Sequence, residues 1–330
     1  MSIIRVEDLC KVYQVKKLRT GALGGIVDLF APQMQKKEAV KSIGFSIDRG
    51  EAVGYIGPNG SGKSTTIKLM TGILTPTSGK VTVNGIEPYK KRKENAQRIG
   101  AVFGQKSQLV WDLSPKDSFE LFRFIYRIPE PVYKRNLDKM MTLLRISEFD
   151  TTPVRQLSLG QRMRAEIACA FFHNPDICYL DEPTIGLDIV AKEHIREFLR
   201  EINQEKETTI ILTTHDMDDI EQVCGRIILI NEGQIIHDGA MKQFREIYGK
   251  ERVLTVQLEE DVTAMSIEGT RSIELKDRVA KIHYDKHNIS STRLIQMIAS
   301  QYQVLDCHIE EPRIEVLIRD FYEKRVDQTC

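Results

Sequence analysis

The chain has 330 residues, 41% of them hydrophobic, and its 47 Lys plus Arg balance 47 Asp plus Glu to a formal charge of zero. That length suits about two domains with a substantial core, and the balanced charge excludes a protein drawn to nucleic acid by its overall field. No apolar run approaches the ~18 residues that span a bilayer, and acidic residues stand where a signal peptide would be apolar, so the sequence predicts an intracellular protein without a membrane span. The six cysteines, Cys10, Cys169, Cys178, Cys224, Cys307 and Cys330, form no C-x-x-C pair, as expected of reduced thiols that mostly fill the core.

In chain order, "IIRVEDLCKVYQV" alternates apolar and polar residues and predicts a half-buried strand. "AVKSIGFSIDRGEAVGYIGPNG" continues with strands broken at Arg49-Gly50, and the two pieces are expected to be hairpin neighbours. The intervening residues, about 15–38, read as an insertion with basic ends and an apolar centre. A solvated loop or helical hairpin is the main expectation; contact with anionic lipid through Lys16, Lys17, Arg19, Lys36 and Lys37 is the alternative. "VTVNG" and "IGAVFGQ" add short strands. The spacing then turns helical, predicting a helical subdomain over about 109–175 that is split by Pro129 and Pro131. From "MRAEIACAFFHNP" onward, helices alternate with the apolar strands "DICYLDEP", "TTIILTTH" and "RIILINEG", which predicts a mostly parallel sheet covered on both faces. After residue 248 the character shifts to short strands, a short helix and a final helix with Ile314, Leu317, Ile318 and Phe321 on one stripe. Residues 249–330 therefore read as a small α+β domain, the stripe packing on its own sheet or, less simply, forming a dimer contact.

Chemistry is concentrated in four places. "GPNGSGKST" fills the pattern G-x-x-x-x-G-K-[ST] between a strand and a helix, the setting in which a glycine loop cradles phosphate. The expected nucleotide contacts run Gly57, Pro58, Asn59, Gly60, Ser61, Gly62, Lys63, Ser64, Thr65 and Thr66, with backbone N–H groups on the phosphates, Lys63 reaching the β- and γ-phosphates and Ser64 ligating Mg²⁺. "ICYLDEP" ends a strand in two carboxylates whose side chains diverge, so Asp181 can face Mg²⁺ while Glu182 serves as general base. His215 follows another strand and could bond a γ-phosphate oxygen. Finally, "LSLGQRMRAE" resembles a second cradle, with Ser158, Gly160 and Gln161 opening a helix. His283 and His287 lack a supporting ligand cluster and are not read as a metal pair.

The order of Walker A, "VFGQ", "LSLGQ", "YLDEP", "GLD" and "TTH" resembles the nucleotide-binding subunit of an ATP-binding cassette (ABC) transporter over roughly residues 3–240. The resemblance implies a P-loop NTPase of the ABC type, α/β with a mostly parallel sheet, an antiparallel β-subdomain and a helical subdomain, spanning residues 1–248. It implies that Tyr13 stacks on adenine, that Gln105 touches Mg²⁺ and the attacking water, and that Asp188 is the D-loop aspartate. It also implies a head-to-tail dimer with a second copy or a paralogous ATPase subunit, in which Ser158 and the N–H of Gly160 cover the partner's ATP. Two positions depart from the usual pattern: Leu159 replaces a glycine, and Gly186 replaces a small side chain. The form of these motifs looks like the drug-resistance and viologen-exporter-like branch. For this chain that implies an ATP-hydrolysing export subunit working with separate membrane permeases, cytoplasmic and peripheral on the inner face of the membrane, without nucleic acid. The competing expectations are a soluble ABC ATPase acting on ribosomes or nucleic acid, and a regulatory module whose C-terminal domain holds a ligand.

Overall fold

Alternation at the N-terminus produces the long strand β1 (Ser2–Lys17), antiparallel to β2 (Gln33–Asp48), with Tyr13 opposite Lys37 and Val15 opposite Gln35. β4 (Ser78–Val83) pairs with the other edge of β1, completing a three-stranded antiparallel sheet. The computed structural model describes residues 2–17, 33–104 and 107–327. Both ends of the expected insertion therefore extend the hairpin, because their backbone groups continue the β1–β2 ladder. Its centre, including Arg19, lies outside the described residues, as do Gln105, Lys106 and Cys330.

Two compact units divide the chain at residues 239 and 240. In the first, six strands are ordered β5 (Ile99–Phe103), β6 (Ile177–Asp181), β7 (Thr209–Thr213), β3 (Ala52–Ile56), β8 (Arg226–Asn231) and β9 (Gln234–Ala240). From β5 to β8 every neighbouring pair is parallel. β3 and β7 are buried at every position, which explains their uninterrupted apolar runs: each residue meets covering structure on one face or the other. Val53, Tyr55, Tyr179, Ile211, Ile228 and Ile230 join Ile4, Leu9, Ile47, Val81 and Val83 of the antiparallel sheet in one core.

Parallel pairing brings the carboxyl ends of β3, β5, β6 and β7 to the same edge, where open α/β sheets place their ligands. α1 (Lys63–Met70) starts there directly after β3. α2 (Arg92–Ala96) precedes β5. The middle of the chain forms α3 (Pro115–Tyr126) and α4 (Glu130–Leu143), separated where Pro129 caps α4 and Pro131 occupies its first turn. Then come α5 (Leu159–Phe171), α6 (Ile189–Lys206) and α7 (Met217–Val223). Cys169, Cys178 and Cys224 are buried, whereas Cys307 is exposed.

The second unit begins with α8 (Met241–Tyr248), a helix the sequence reading grouped with the cassette. Its physical partner is α10 (Ile314–Asp327): Phe321 packs edge-on against Tyr248 at 4.9 Å and against Phe244 at 5.7 Å between ring centroids. The stripe Ile314, Leu317, Ile318 and Phe321 is buried, with Phe321 packed on α8, and none of the four belongs to the core that the sheet forms with α9, where the sequence pattern places them. The antiparallel sheet has the order β11 (Thr270–Lys276), β12 (Val279–Asp285), β10 (Glu251–Leu258) and β13 (Val304–Glu310). α9 (Ser291–Ala299) contributes Leu294 and Ile298 to a core with Leu254, Val256, Ile282 and Tyr284. Among the described residues, no group of three or more His, Cys, Asp or Glu side chains could hold a metal ion.

The central strands set one measurable expectation. Ile211 in β7 is fully buried, so Ile211→Ala should cost about 2–5 kcal/mol through lost burial and a residual cavity. Calorimetry should show the cassette's melting transition lowered by roughly 5–15 °C.

Candidate active site

A turn that only glycine can make connects β3 to α1. A Cβ on Gly57 would lie 2.2 Å from Ile230 O, and one on Gly62 would lie 2.5 Å from Ala39 O. Gly62 adopts φ 110 as the N-cap of α1 and brings no side-chain cap, so the helix's first N–H groups point out of the loop without protein partners of the capping kind. Ser61 Oγ is buried without a hydrogen-bond partner, while the Ser61 backbone is fixed by Ser61 N–H to Pro58 O at 3.1 Å and Gly233 N–H to Ser61 O at 2.9 Å. These features fit a phosphate group: oriented N–H donors, a positive helix end and no Cβ in the approach. Pro58, Asn59 and Gly60 are exposed, and Ser64 and Thr65 are half-buried. Thr66 is fully buried, its hydroxyl donating to Gly62 O at 3.0 Å and accepting from Tyr55 at 3.3 Å. Its side chain supports the loop from beneath.

Lys63 folds back over the turn, donating to Gly57 O at 2.5 Å and Pro58 O at 3.1 Å. Burial pushes its ammonium pKa down, against the opposing pull of Glu182 and Asp181. Both carboxylates therefore lie within electrostatic reach of the loop. Asp181 ends β6 opposite Thr213, whose hydroxyl donates to Asp181 Oδ1 at 2.6 Å. Together with the Ser64 hydroxyl this is an oxygen donor set of the kind Mg²⁺ prefers.

Glu182 occupies φ 57, a left-handed conformation that costs a non-glycine residue about 1–2 kcal/mol and marks functional strain when the surroundings enforce it. They do so here: Glu182 N–H donates to Thr213 O at 2.9 Å. His215 N–H reaches Glu182 Oε2 at 3.3 Å and His215 Nε2 lies 3.3 Å from Glu182 Oε1. Burial raises the Glu182 pKa, with His215 and Lys63 opposing. A partly buried carboxylate held beside an imidazole and facing a phosphate cradle can accept a proton from water.

Ser158, Gly160, Gln161 and Asp188 form a second cluster at the paired starts of α5 and α6. Ser158 caps α5 by accepting from Gln161 N–H at 3.2 Å, and Ser158 N–H donates to Gln161 Oε1 at 2.9 Å. This reciprocal box orients the helix end and leaves the hydroxyl proton of Ser158 free to be donated. Asp188 caps α6, accepting from Ala191 N–H at 2.8 Å. Tyr13 stands on the β1–β2 hairpin with the Lys11 ammonium 5.5 Å from its ring centroid. Gln105 lies outside the described residues; immediately before it, Gly104 N–H donates to Asp181 O at 3.0 Å.

Sequence reasoning missed the side chains that hold these pieces in place. Asp219, fully buried in α7, accepts from Arg196 Nε at 2.6 Å, from Thr214 Oγ1 at 3.2 Å and from Thr184 Oγ1. It thus joins α6, the residue before His215 and the turn after Glu182. Glu166 in α5 accepts from Gln108 N–H at 2.9 Å and from the Ser107 hydroxyl, tying α5 to the segment after Gln105, and burial raises its pKa against those bonds. It lines a cavity of about 240 Å³ with Phe103, Trp111, Arg162 and Met163. No signal announced either residue: both occupy polar positions of amphipathic helices, where solvent exposure is the ordinary outcome.

A glycine turn on a helix N-terminus, two carboxylates and an imidazole on one edge of a parallel sheet define a P-loop ATPase. The sequence profile described as ABC transporter matches residues 40–185. The chain is 31% identical over 217 residues to the ABC transporter ATP-binding protein NatA of Bacillus subtilis, covering 66% of this chain and 88% of that protein. It is 29% identical over 292 residues to the linearmycin resistance ATP-binding protein LnrL of Bacillus subtilis, covering 86% and 93%. The solved dimeric post-hydrolysis state of the ATP-binding cassette MJ0796, bound to ADP and Pi, superposes with a TM-score of 0.60 at 27% identity, covering 72% of this chain and 98% of that one. This chain belongs to the ABC transporter ATP-binding family. It is an ATPase subunit that uses ATP with Mg²⁺ and works as a dimer with transmembrane permease partners.

The electrostatics predict the pH response. A base works only when deprotonated, so hydrolysis should fall as pH drops through the Glu182 pKa, which burial places above the ordinary carboxylate value. His215→Gln removes a neighbour that lowers that pKa, so, besides its lower turnover, the variant should show its acid limb at higher pH in a kcat–pH profile. Asp219→Ala leaves Arg196 buried beside fewer acceptors and should cost about 3 kcal/mol in denaturant unfolding.

Proposed function

We propose that this subunit drives export through a separate permease, on the inner face of the membrane, and that its residues divide the work as follows. The backbone N–H groups from Asn59 to Thr65 and the Lys63 ammonium hold the phosphates of ATP. Ser64 and Asp181, with Gln105, would hold Mg²⁺, which when bound would neutralise charge on the phosphates. Glu182 takes the proton from the attacking water, His215 orients that carboxylate and bonds the γ-phosphate, and Gln105 senses the same phosphate. Tyr13 stacks on adenine. Ser158 and the Gly160 N–H of a second copy, with Gln161 fixing their cap and Asp188 beside them, complete the site from the other side. The observation that carries this reading is the strained Glu182, held between Thr213 and His215 within reach of Lys63.

The permease contact is assigned to residues 105–122, extended along α3. Val110, Trp111, Leu113, Leu121, Phe124 and Ile125 are exposed, Trp111 by 54% and Phe124 by 66%. Large apolar side chains left exposed along one stretch of chain are of the kind that mark interaction surfaces. The export direction is supported by the linearmycin resistance relative. Among the described residues no helix is long and apolar enough to cross a membrane, so the path for substrate is assigned to the permease, and the peripheral position follows from that partnership.

Lys63→Ala should weaken ATP binding by about 100-fold or more, read by equilibrium dialysis. Glu182→Gln should bind ATP normally, lose turnover by about 10²- to 10⁴-fold and accumulate as an ATP-dependent dimer in size-exclusion chromatography. Parental turnover in Glu182→Gln would exclude Glu182 as the base.

A further inference from the structure

Leu159 and Gly186 meet where the starts of α5 and α6 come together. Leu159 is the first residue of α5 and Gly186 lies in the turn that leads into α6. A Cβ on Gly186 would sit 3.1 Å from Leu159 Cδ2, closer than side chains normally pack. Gly186 has φ 71, a conformation glycine enters freely and from which it can as freely leave. The turn is anchored at both ends: Leu187 N–H donates to Thr184 O at 3.2 Å, Thr184 is bonded to Asp219, and Asp188 caps α6. Only its tip has no bonded support of this kind, and Leu159 lies on that tip. One residue further on, a Cβ on Gly160 would approach Ala191 Cβ to 3.3 Å, so the two helix starts are in close contact at successive positions.

We propose that Leu159 is a positioning residue that holds the glycine turn at Gly186 from across this contact. Leu159 fills the volume a residue-186 side chain would occupy and restricts the glycine turn to one conformation, which keeps Asp188 and the donors Ser158 and Gly160 in a fixed mutual arrangement. Ile185 and Ile189 are exposed around the same point, Ile189 by 83%, so Leu159 also sits within an apolar rim on the surface presented to the second copy. This rests on the reading that Ser158 and Gly160 cover the ATP held by that copy.

A double-mutant cycle on the full chain tests the contact. Leu159→Ala frees the turn, and Gly186→Ala forces a Cβ into Leu159; each should lower kcat/KM for ATP by about tenfold. In Leu159→Ala/Gly186→Ala the new methyl group enters the space vacated by leucine, so the double variant should exceed the product of the single effects by about fivefold or more. The Kd for a fluorescent ATP analogue, measured on the monomer, should stay within about twofold of the parent in all three, because the P-loop is a different segment. ATP-driven dimerisation in the Glu182→Gln background should follow the kcat/KM order. Gly186→Asn carries the same Cβ but tolerates the left-handed region; it replaces Gly186→Ala should that variant melt early. Effects that simply multiply, or a monomer Kd that shifts together with kcat/KM, overturn the proposal. Failure of Glu182→Gln alone to dimerise with ATP would instead remove the shared-site reading beneath it.

Discussion

The close approach of backbone to backbone around the P-loop is the constraint on which the remaining architecture depends. Gly57 sits against the end of β8 and Gly62 against β2, so the loop is gripped by both sheets of the cassette. A side chain at either position would push the sheets apart or deform the turn. Because the grip is made of backbone atoms, it tolerates no rotamer adjustment. It also sets where everything else must be: parallel pairing of β3, β7 and β6 brings Thr213, Asp181 and Glu182 to the loop's side, and α1 starts there with its donors aligned.

Charge is then added in a graded way. Lys63 lies buried over its own loop, its positive charge disfavoured by burial and supported by two carboxylates. Glu182 has the converse problem and is raised by burial while His215 and Lys63 counter it. Each group's unfavourable desolvation is partly offset by the other, which keeps both poised. Further out, the buried Arg196–Asp219 pair secures the turn after Glu182 and the residue before His215 at once. A charged anchor of this type adds little net stability, but it fixes geometry because few alternative arrangements satisfy it.

Much of this was legible from local pattern. "GPNGSGKST" in its strand-to-helix setting located the cradle, the apolar runs located the sheet, and Pro129 and Pro131 located the break between α3 and α4. Contacts between distant segments were not legible. Arg196 and Asp219 look like solvated polar positions because periodicity records which face is apolar, not which polar atom finds a partner across the fold. The insertion near residues 15–38 reads as a solvated loop or helical hairpin because its ends are charged, yet Val15 and Gln35 are paired: an exposed two-stranded ladder needs no apolar face to satisfy its backbone. The pattern of "GAMKQFREIYGKE" groups α8 with the cassette, because nothing in it reveals that its aromatic residues meet Phe321.

The bond from Glu166 to the segment after Gln105 has a mechanical consequence. α5 is a continuous rod, and Glu166 lies eight positions along it from Ser158, or about 12 Å at 1.5 Å per residue. Such a rod does not absorb a tug at its middle by bending. The loop at Ser107 and Gln108 and the tip that bears Ser158 and Leu159 are therefore held by one and the same rod, as a handle fixed partway along a lever is joined to the lever's end.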